Sequence, residues 1–509
     1  MPPSPSIRPQ GAEPPIRDRG DACPGALRLH SAADGHLARV RLPAGDLTVR
    51  QAEALADAAD RLGDGHLSLT SRGNAELRGL ADGCGGRLAA LLRDAGLLPS
   101  ERHERVRNIL ASPLAGLDRH TPSDVRLWAR ELDGLLCASE SATALSGRFL
   151  FVLDDGRGDV AALGGDVSLV AERGGAGSGD LSGAGCPAEA GGTALLRVGD
   201  DPAALRIAGP DAPRAALTAA EAFLTAAAAS GSGAWRVREL PDGHGLTARA
   251  VAERLRAAGI GCAEVAGEVA AAVAGAGDVT GTPDATGAPA PASAPCAESV
   301  PFTGSVPYAG SAPPPASVPY ADSSAPGVIE GTDGARALSV LAPLGRLSVA
   351  QWRLLTAVAA EDGAGALRLT PWRGVVIPGL SADTAAPRLR ELSAAGLITD
   401  PDSPWHRVGA CTGRPGCAKS RTDVRADATA AVTAGTPVPG EPGPQPAALR
   451  RLPVYWSGCE RRCGHPHGAW VDVLATAEGY RVSVVQPQSA PVPHPAPAAP
   501  SAAPCPATS

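Results

Sequence analysis

The chain is almost without lysine. Of its 46 basic residues only Lys419 is one, and the rest are arginine. Nearly every task that needs a cation therefore falls to a planar guanidinium fork rather than a flexible ammonium. Aromatic residues are also scarce, at 3% of 509 residues, although 44% of the chain is hydrophobic. The core must then be aliphatic and rich in alanine. No run of 18 apolar residues occurs, which excludes a membrane-spanning helix. The opening Met1-Pro2-Pro3-Ser4-Pro5 lacks an apolar signal core, so the expected compartment is the cytoplasm, where thiols stay reduced. A net charge of −7 argues against bulk nucleic-acid binding and leaves local arginine clusters as the basic surfaces. Neither Gly175-Ala176-Gly177 nor Gly275-Ala276-Gly277 completes a Gly-x-Gly-x-x-Gly cradle, so no nicotinamide or flavin site is expected. The ten histidines form no His-Glu-x-x-His and no facial triad.

What the chain does have is a set of four cysteines near its end. Cys411-x5-Cys417 is followed, 41 residues later, by Cys459-x3-Cys463. Four thiolates can hold an iron–sulfur cube. Zinc favours tighter Cys-x2–4-Cys knuckles, which the second pair satisfies and the first does not. Spacing alone leaves cluster, zinc and unligated thiols open. The other seven cysteines (Cys23, Cys84, Cys137, Cys186, Cys262, Cys296, Cys505) are scattered and read as small buried residues or loop thiols.

The chain also repeats itself. Shifted by 300 residues, positions 42–97 align without a gap and 18 of 56 are identical. Pro43, Gly45, Leu47, Val49 and Gln51 recur as Pro343, Gly345, Leu347, Val349 and Gln351. Leu67, Leu69, Thr70, Gly79 and Leu80 recur as Leu367, Leu369, Thr370, Gly379 and Leu380. Each copy reads as strand, helix, strand, strand, helix. Thr48 and Ser348 stand at helix N-caps, and Arg72-Gly73-Asn74 turns strand 67–69 into strand 75–79. Two such copies are expected to associate about a pseudo-twofold axis, with a site between the halves.

Composition divides the rest. Residues 1–24 and 486–509 are Pro/Ala-rich tails expected to be disordered. Residues 275–330 form a Pro/Ala/Gly/Ser linker with a Ser-Val-Pro-aromatic near-repeat at 299–302, 305–308 and 317–320. Copy one spans 25–100 and copy two 331–398. Residues 101–274 form an α/β region, with a strand at 149–153 and helices at 211–229 and 246–258. Residues 399–485 carry the cysteines, contain a Pro/Gly loop at 430–447, end in a strand at 480–485, and look like a shortened version of that region.

Several motifs in order now resemble one family. They are Leu69-Thr70-Ser71-Arg72-Gly73-Asn74, Arg107-Asn108-Ile109 with Ala111-Ser112-Pro113, Leu145-Ser146-Gly147-Arg148-Phe149, and the two cysteine pairs. Together with the duplication they resemble the sirohaem-type nitrite and sulfite reductases, over residues 25–272 and 331–485. The fold this implies is α+β: duplicated ferredoxin-like half-domains with two sirohaem-reductase-like α/β domains, related by a pseudo-twofold.

Within that superfamily the chain most resembles the precorrin-3B synthases, the cobalamin-pathway branch. The resemblance implies an oxidoreductase, a monooxygenase that uses dioxygen to hydroxylate precorrin-3A at C20, with lactone formation from the ring A acetate. It implies a 4Fe–4S cluster on Cys411, Cys417, Cys459 and Cys463 and, in some members, a non-haem iron. Sirohaem belongs to the reductase alternative, in which the counterpart of Cys463 also bridges to haem iron. With a metal-free substrate Cys463 would ligate the cluster alone. Electrons are expected from an external donor, a ferredoxin or an NADH-dependent reductase.

The resemblance also assigns roles residue by residue. Arg72 and Arg107 match arginines on the tetrapyrrole's distal side. Arg148 matches the first lysine of the reductases' Leu-Pro-Arg-Lys-Phe-Lys pattern, whereas the second lysine is Leu150 here. A site that protonates sulfite or nitrite has thus lost a cation. Catalytic roles are expected for Arg72, Arg107 and Arg148.

A flat macrocycle with eight carboxylates needs convergent guanidinium forks. The candidates are Arg41, Arg72, Arg78, Arg102, Arg105, Arg107, Arg148, Arg414 and Arg421. Substrate contact is expected from Arg41, Arg72, Asn74, Arg107, Asn108 and Arg148; for the two asparagines, turn stabilisation is the equal alternative. The cluster loop is rich in cations, namely Arg414, Lys419, Arg421, Arg461 and Arg462, which would raise a cluster's potential or form a redox-partner surface. His465, His467 and then His103 are candidates for an extra iron ligand or proton donor, with exposed loop histidines as the alternative. Trp372 stands in copy two where copy one has Arg72, so one half is expected to keep the substrate face.

Overall fold

The computed structural model describes residues 21, 23–118, 124–172, 192–265, 325–331, 334–439 and 452–486. Most of both tails, most of the linker with its Ser-Val-Pro repeat, the two Gly-Ala-Gly stretches, and Cys186, Cys296 and Cys505 lie outside the described residues. So does the later part of the 430–447 loop. The chain divides into two compact units: Met1–His406 with Pro415–Ala418, and Arg407–Arg414 with Lys419 onward. Among the described residues no helix is long and apolar enough to cross a membrane.

The two copies each build a sheet in the first unit, and each sheet is finished by a strand of the other copy. In copy one the strands are β1 (His30–Ala32), β2 (Gly35–Val40), β3 (Asp46–Thr48), β4 (His66–Leu69) and β5 (Ala75–Leu80). In copy two they are β12 (Gly327–Glu330), β13 (Arg336–Leu341), β14 (Arg346–Ser348), β15 (Ala366–Leu369) and β16 (Gly374–Leu380). The orders are β1-β2-β5-β4-β14 and β12-β13-β16-β15-β3. Strand β14 therefore pairs antiparallel with β4, with Leu347 opposite Leu67. Its twin β3 pairs with β15, with Leu47 opposite Leu367.

The backbone bonds are reciprocal as well: Val49 N donates to Gly365 O at 3.1 Å and Val349 N to Gly65 O at 3.0 Å. Helices α1 (Val49–Leu62) and α6 (Val349–Glu361) start at Thr48 and Ser348, each closing a capping box with Gln51 or Gln351. Trp352, buried at the meeting of the two copies, donates Nε1–H to Ala52 O at 2.8 Å. Helices α2 (Gly85–Asp94) and α7 (Ala382–Ala394) complete the copies. One aliphatic core runs through both, including Leu55, Leu67 and Leu77 and their counterparts Leu355, Leu367 and Ile377.

The α/β region is a six-stranded sheet. Its strands are β6 (Ile109–Ala111), β7 (Phe151–Asp154), β8 (Val167–Ala171), β9 (Thr193–Val198), β10 (Ala204–Ala208) and β11 (Cys262–Val265), in the order β11-β10-β9-β8-β7-β6. Helices α3 (Arg126–Ala138), α4 (Ala212–Ser230) and α5 (Ala248–Ala257) cover the face that holds Phe149, Phe151 and Leu169. Alternation along β7 sends Leu150 and Val152 to the other face, with Leu110, Val160 and Trp372.

The second unit repeats the start of this pattern. Its strands are β17 (Val408–Ala410), β18 (Val454–Ser457), β19 (Trp470–Thr476) and β20 (Gly479–Val485), with α8 (Val424–Thr433) between the first two. The pairings are parallel, parallel, antiparallel, as for β6, β7, β8 and β9. Among the described residues the unit thus keeps the first four strands of the larger sheet and shows no counterparts of β10, β11, α4 and α5.

Candidate functional site

In the first unit the end of β2, the β4–β5 turn and the loop before β7 converge on Gly147. Arg41 closes β2 and is only 3% exposed, so it is not the solvated member of an alternating strand. It donates Nη2 to Gly147 O at 3.2 Å and Nε to Arg105 O at 3.2 Å. Arg72 donates Nη1 to the same Gly147 carbonyl at 3.5 Å. Arg41 also reaches the Cys23 thiol at 3.7 Å. Gly147 is closely hemmed in: a Cβ there would lie 3.0 Å from Cys23 Cβ and 3.3 Å from Arg41 Nη2, so its neighbours would have to give. Asp21 ties this corner together, accepting from Gly147 N at 2.7 Å and Ser146 Oγ at 2.9 Å. Burial opposes its charge, but the N–H groups of Cys23 and Gly147 hold its carboxyl below the usual range.

The electrostatics of this group are unbalanced. Burial, then the neighbouring charge of Arg39, brings Arg41 down to about 10. Burial, then Arg236 and Arg41, brings Arg72 to about 10 as well. Arg41 Nη1 is buried without a hydrogen-bond partner. Desolvated, mutually repelling guanidinium groups with an orphaned N–H form a cradle for an anion. Arg148 follows Gly147 in the chain, and its guanidinium sits over the Trp235 ring, 4.9 Å from the centroid.

Other residues expected at the substrate face are placed elsewhere. Arg107 forks both arms onto Asp133 at 2.7 Å and adds Leu97 O at 3.2 Å, so it fastens α3 and is not free for a ligand. Asn74 and Asn108 are fully buried. Asn74 Oδ1 accepts from Leu42 N, its amide donates to Asn108 Oδ1, and Asn108 donates to Phe149 O. They lock three segments and contact no ligand space. Arg78 pairs with Asp34 and donates to Gly416 O at 2.7 Å. Arg102 pairs with Glu140, and Arg105 with Asp21. His103 engages both ring nitrogens, with Ser100 Oγ and Ser139 O, which leaves none for iron. Leu150 packs among Leu110, Val152 and Val160.

Within the second unit, Cys411 follows β17 while Cys459 and Cys463 follow β18. The two loops are laced by Cys411 N to Trp456 O at 3.0 Å and Arg421 N to Gly458 O at 2.9 Å. Gly458 N donates to Cys411 Sγ at 3.2 Å. A backbone N–H aimed at sulfur is how cluster thiolates are held and tuned. Glycine is required there, because a Cβ would fall 1.9 Å from Ser420 Oγ. Tyr455 OH fixes the Cys463 carbonyl at 2.6 Å. Zinc would bring sulfurs within about 4 Å of one another. Among the described residues, Cys411, Cys459 and Cys463 form no group within 4.8 Å. Cys417 belongs to the stretch that groups with the first unit.

Of the cluster-loop cations, Arg462 pairs with Asp472 and Glu460, and Arg414 donates to Ser420 O. The His465 ring stacks on Trp470 at 5.2 Å with Nδ1 near Pro466 O, which makes it part of a packed loop.

The same loop architecture recurs in the first unit with different chemistry. Ser112 N donates to Leu153 O at 3.0 Å as Cys411 N does to Trp456 O. Asp155 N donates to Ser112 Oγ at 3.2 Å as Gly458 N does to Cys411 Sγ. Where the second unit carries cysteines, the first carries Asp154, Asp155 and Asp159, which among the described residues are the one close group of potential metal ligands. Asp154 is already saturated by four backbone N–H groups, from Gly156, Gly158, Val160 and Ala161. The Arg157 guanidinium, held by Asp155 and Asp118, supplies the local cation. Burial, then Asp154 and Asp155, pushes Asp159 up to about 8. Sequence reading missed this twin loop, and also Trp235 and Arg236; register could have revealed the first, but nothing marked the second pair.

Comparison with known proteins follows the same lines. The nitrite/sulfite reductase ferredoxin-like half domain matches residues 30–92 and 329–395. A precorrin-3B synthase of Sinorhizobium sp is 36% identical over 154 residues, 30% of this chain and 33% of that protein. A ferredoxin–nitrite reductase of Synechococcus elongatus is 35% identical over 127 residues, 24% of this chain and 25% of that protein. The matched stretches thus span a third or less of these curated relatives. The solved Mycobacterium tuberculosis NirA protein shares the fold with a TM-score of 0.54 at 17% identity, covering 88% of this chain and 74% of that one. Two half-domains matching this family model thus lie in one chain, in a fold shared with NirA.

Proposed function

We propose that the chain is an oxidoreductase that hydroxylates a tetrapyrrole polycarboxylate, precorrin-3A, at C20 with dioxygen and lactone formation in the cobalamin pathway. The observation that carries this reading is buried Arg41, with its unpartnered Nη1, and half-buried Arg72 sharing the Gly147 carbonyl. It suits a ligand that brings its own carboxylates. The likeness to a precorrin-3B synthase supports it. In the reaction, one oxygen atom enters the C20–OH; two electrons and two protons carry the other to water. The arginines bind and orient the macrocycle, and a 4Fe–4S cluster on Cys411, Cys417, Cys459 and Cys463 would relay electrons from an external ferredoxin or reductase. Leu150, which stands where the resemblance has the reductases' second lysine, sits in an apolar setting and supplies no cation there for protonating a small oxyanion.

The test is incubation of the reconstituted protein with precorrin-3A and a reductant under labelled dioxygen, followed by mass analysis. One labelled oxygen in the product is expected, and an unlabelled product refutes the reading. The second reading, a sirohaem nitrite or sulfite reductase, is favoured by the nitrite reductase relatives. Intense Soret absorption from tightly bound sirohaem in the isolated protein would support it, whereas a broad brown shoulder alone fits the first.

A further inference from the structure

Two adjacent residues outside every motif, Trp235 and Arg236, border the Gly147 cradle: Trp235 lies against Arg148, and Arg236 is a charged neighbour of Arg72. They lie in the stretch between α4 and α5. The Trp235 indole, half-buried, forms a platform under the Arg148 guanidinium. Its backbone N–H is fixed by Glu239 Oε2 at 2.8 Å. Arg236, 7% exposed, is the strongest cationic neighbour of Arg72. It is anchored from behind by an ion pair with Asp166 and by Gly164 O at 3.3 Å. Asp166 also accepts from Leu150 N and Val237 N, so one carboxylate fastens the segment to the strand that follows Arg148.

We propose that Trp235 and Arg236 form a binding arm of the cradle, in which Arg236 takes, together with Arg72, a peripheral carboxylate of a polycarboxylate macrocycle. Trp235 acts as a positioning residue that aims Arg148. This rests on the tetrapyrrole reading above. The physical reason is charge balance. Arg41, Arg72 and Arg236 are like-charged neighbours; Asp166 offsets Arg236 and Asp21 part of Arg41, which leaves Arg72 the least compensated. A carboxylate shared by two forks removes the repulsion and completes their donors at once. A guanidinium seated on an indole face keeps its charge while losing freedom, so less is lost when it grips an anion.

The probe is uroporphyrin, a stable macrocycle with eight carboxylates, titrated into the full-length protein and followed by its Soret shift and by quenching of tryptophan emission. Wild-type protein is expected to bind. Arg236→Met should weaken binding about tenfold or more. Arg236→Lys should recover part of it, because the charge and the Asp166 pair survive. Since Arg236→Met strands Asp166, the double variant Arg236→Met/Asp166→Asn serves as the folded control and should bind equally weakly. Trp235→Phe should bind within about threefold but with less emission quenching, and Trp235→Ala should bind several-fold more weakly. Wild-type binding with Arg236→Met, Arg236→Lys and Trp235→Ala all within twofold of it overturns the arm and leaves the tetrapyrrole reading standing. No binding by wild-type protein overturns both.

Discussion

Removing Arg72 should make the ligand-free protein more stable. Its guanidinium pKa falls to about 10, through burial first and then through Arg236 and Arg41. Each tenfold loss of proton affinity is worth about 1.4 kcal/mol, so keeping the charge there costs about 3 kcal/mol if solvent is fully excluded. The side chain is partly exposed, and screening roughly halves that figure to about 1–2 kcal/mol. Against this stands one hydrogen bond, to Gly147 O at 3.5 Å, which is at the limit of useful geometry and worth about 0.5 kcal/mol. Arg72→Met should therefore gain about 1 kcal/mol. For a unit of this size that is a rise of about 1–2 °C in melting temperature. Calorimetry at pH 7 and low salt, beside uroporphyrin titration, reads both sides. Stability should rise while affinity falls about tenfold or more. The stability gain should shrink in high salt. It should also shrink as pH climbs toward and past about 10, because native Arg72 then sheds its proton and its penalty. A variant that melts several degrees lower with affinity unchanged would refute the reasoning and make Arg72 a structural residue.

Three further outcomes are expected. Gly147→Ala places a methyl 3.0 Å from Cys23 Cβ and 3.3 Å from Arg41 Nη2; it should weaken uroporphyrin binding several-fold at a stability cost of about 1–2 kcal/mol, and unchanged affinity counts against the cradle. Cys459→Ala should lose the iron and the brown absorption while far-ultraviolet dichroism persists, and full iron retention removes Cys459 from the ligand set. Asp159 has its folded pKa raised to about 8, so the stability it contributes is complete at acid pH and fades as pH rises through about 8. Asp159→Asn should flatten that decline between about pH 4 and 8 in thermal melts, and parallel curves for the two proteins would contradict it.

Much of the scaffold could be read from the chain because its signals are local. The 300-residue shift exposed the duplication, and Thr48 and Ser348 marked helix starts that the structure places within a residue. The Ala-rich segment after Pro210-Asp211 and before Gly231 is helix Ala212–Ser230. Strand exchange was not legible. Strands β3 and β14 are three residues each, and their partners lie about 300 positions away. Local sequence carries no register at that range. The site was half legible for a related reason. Composition showed arginines but not which acids would claim them. Asp133 captured Arg107, whereas Arg41 and Arg72 share the Gly147 carbonyl and, among the described residues, make no hydrogen bond to a carboxylate. Trp235 and Arg236 gave no signal, since they join the group only through the packing of the segment after α4.

The exchanged strands also bear on how the two copies could diverge. A sheet that borrows its last strand cannot be completed by either copy alone, so the pair acts as a heterodimer written into one chain. Within such a pair one copy can carry the chemistry while the other is held in place by its loaned strand. Arg72-Gly73-Asn74 in one and Trp372-Arg373-Gly374 in the other show that latitude: where the first copy has a cation the second packs an indole against Leu110, Leu150 and Val152, while Leu347 stays opposite Leu67 and Leu47 opposite Leu367.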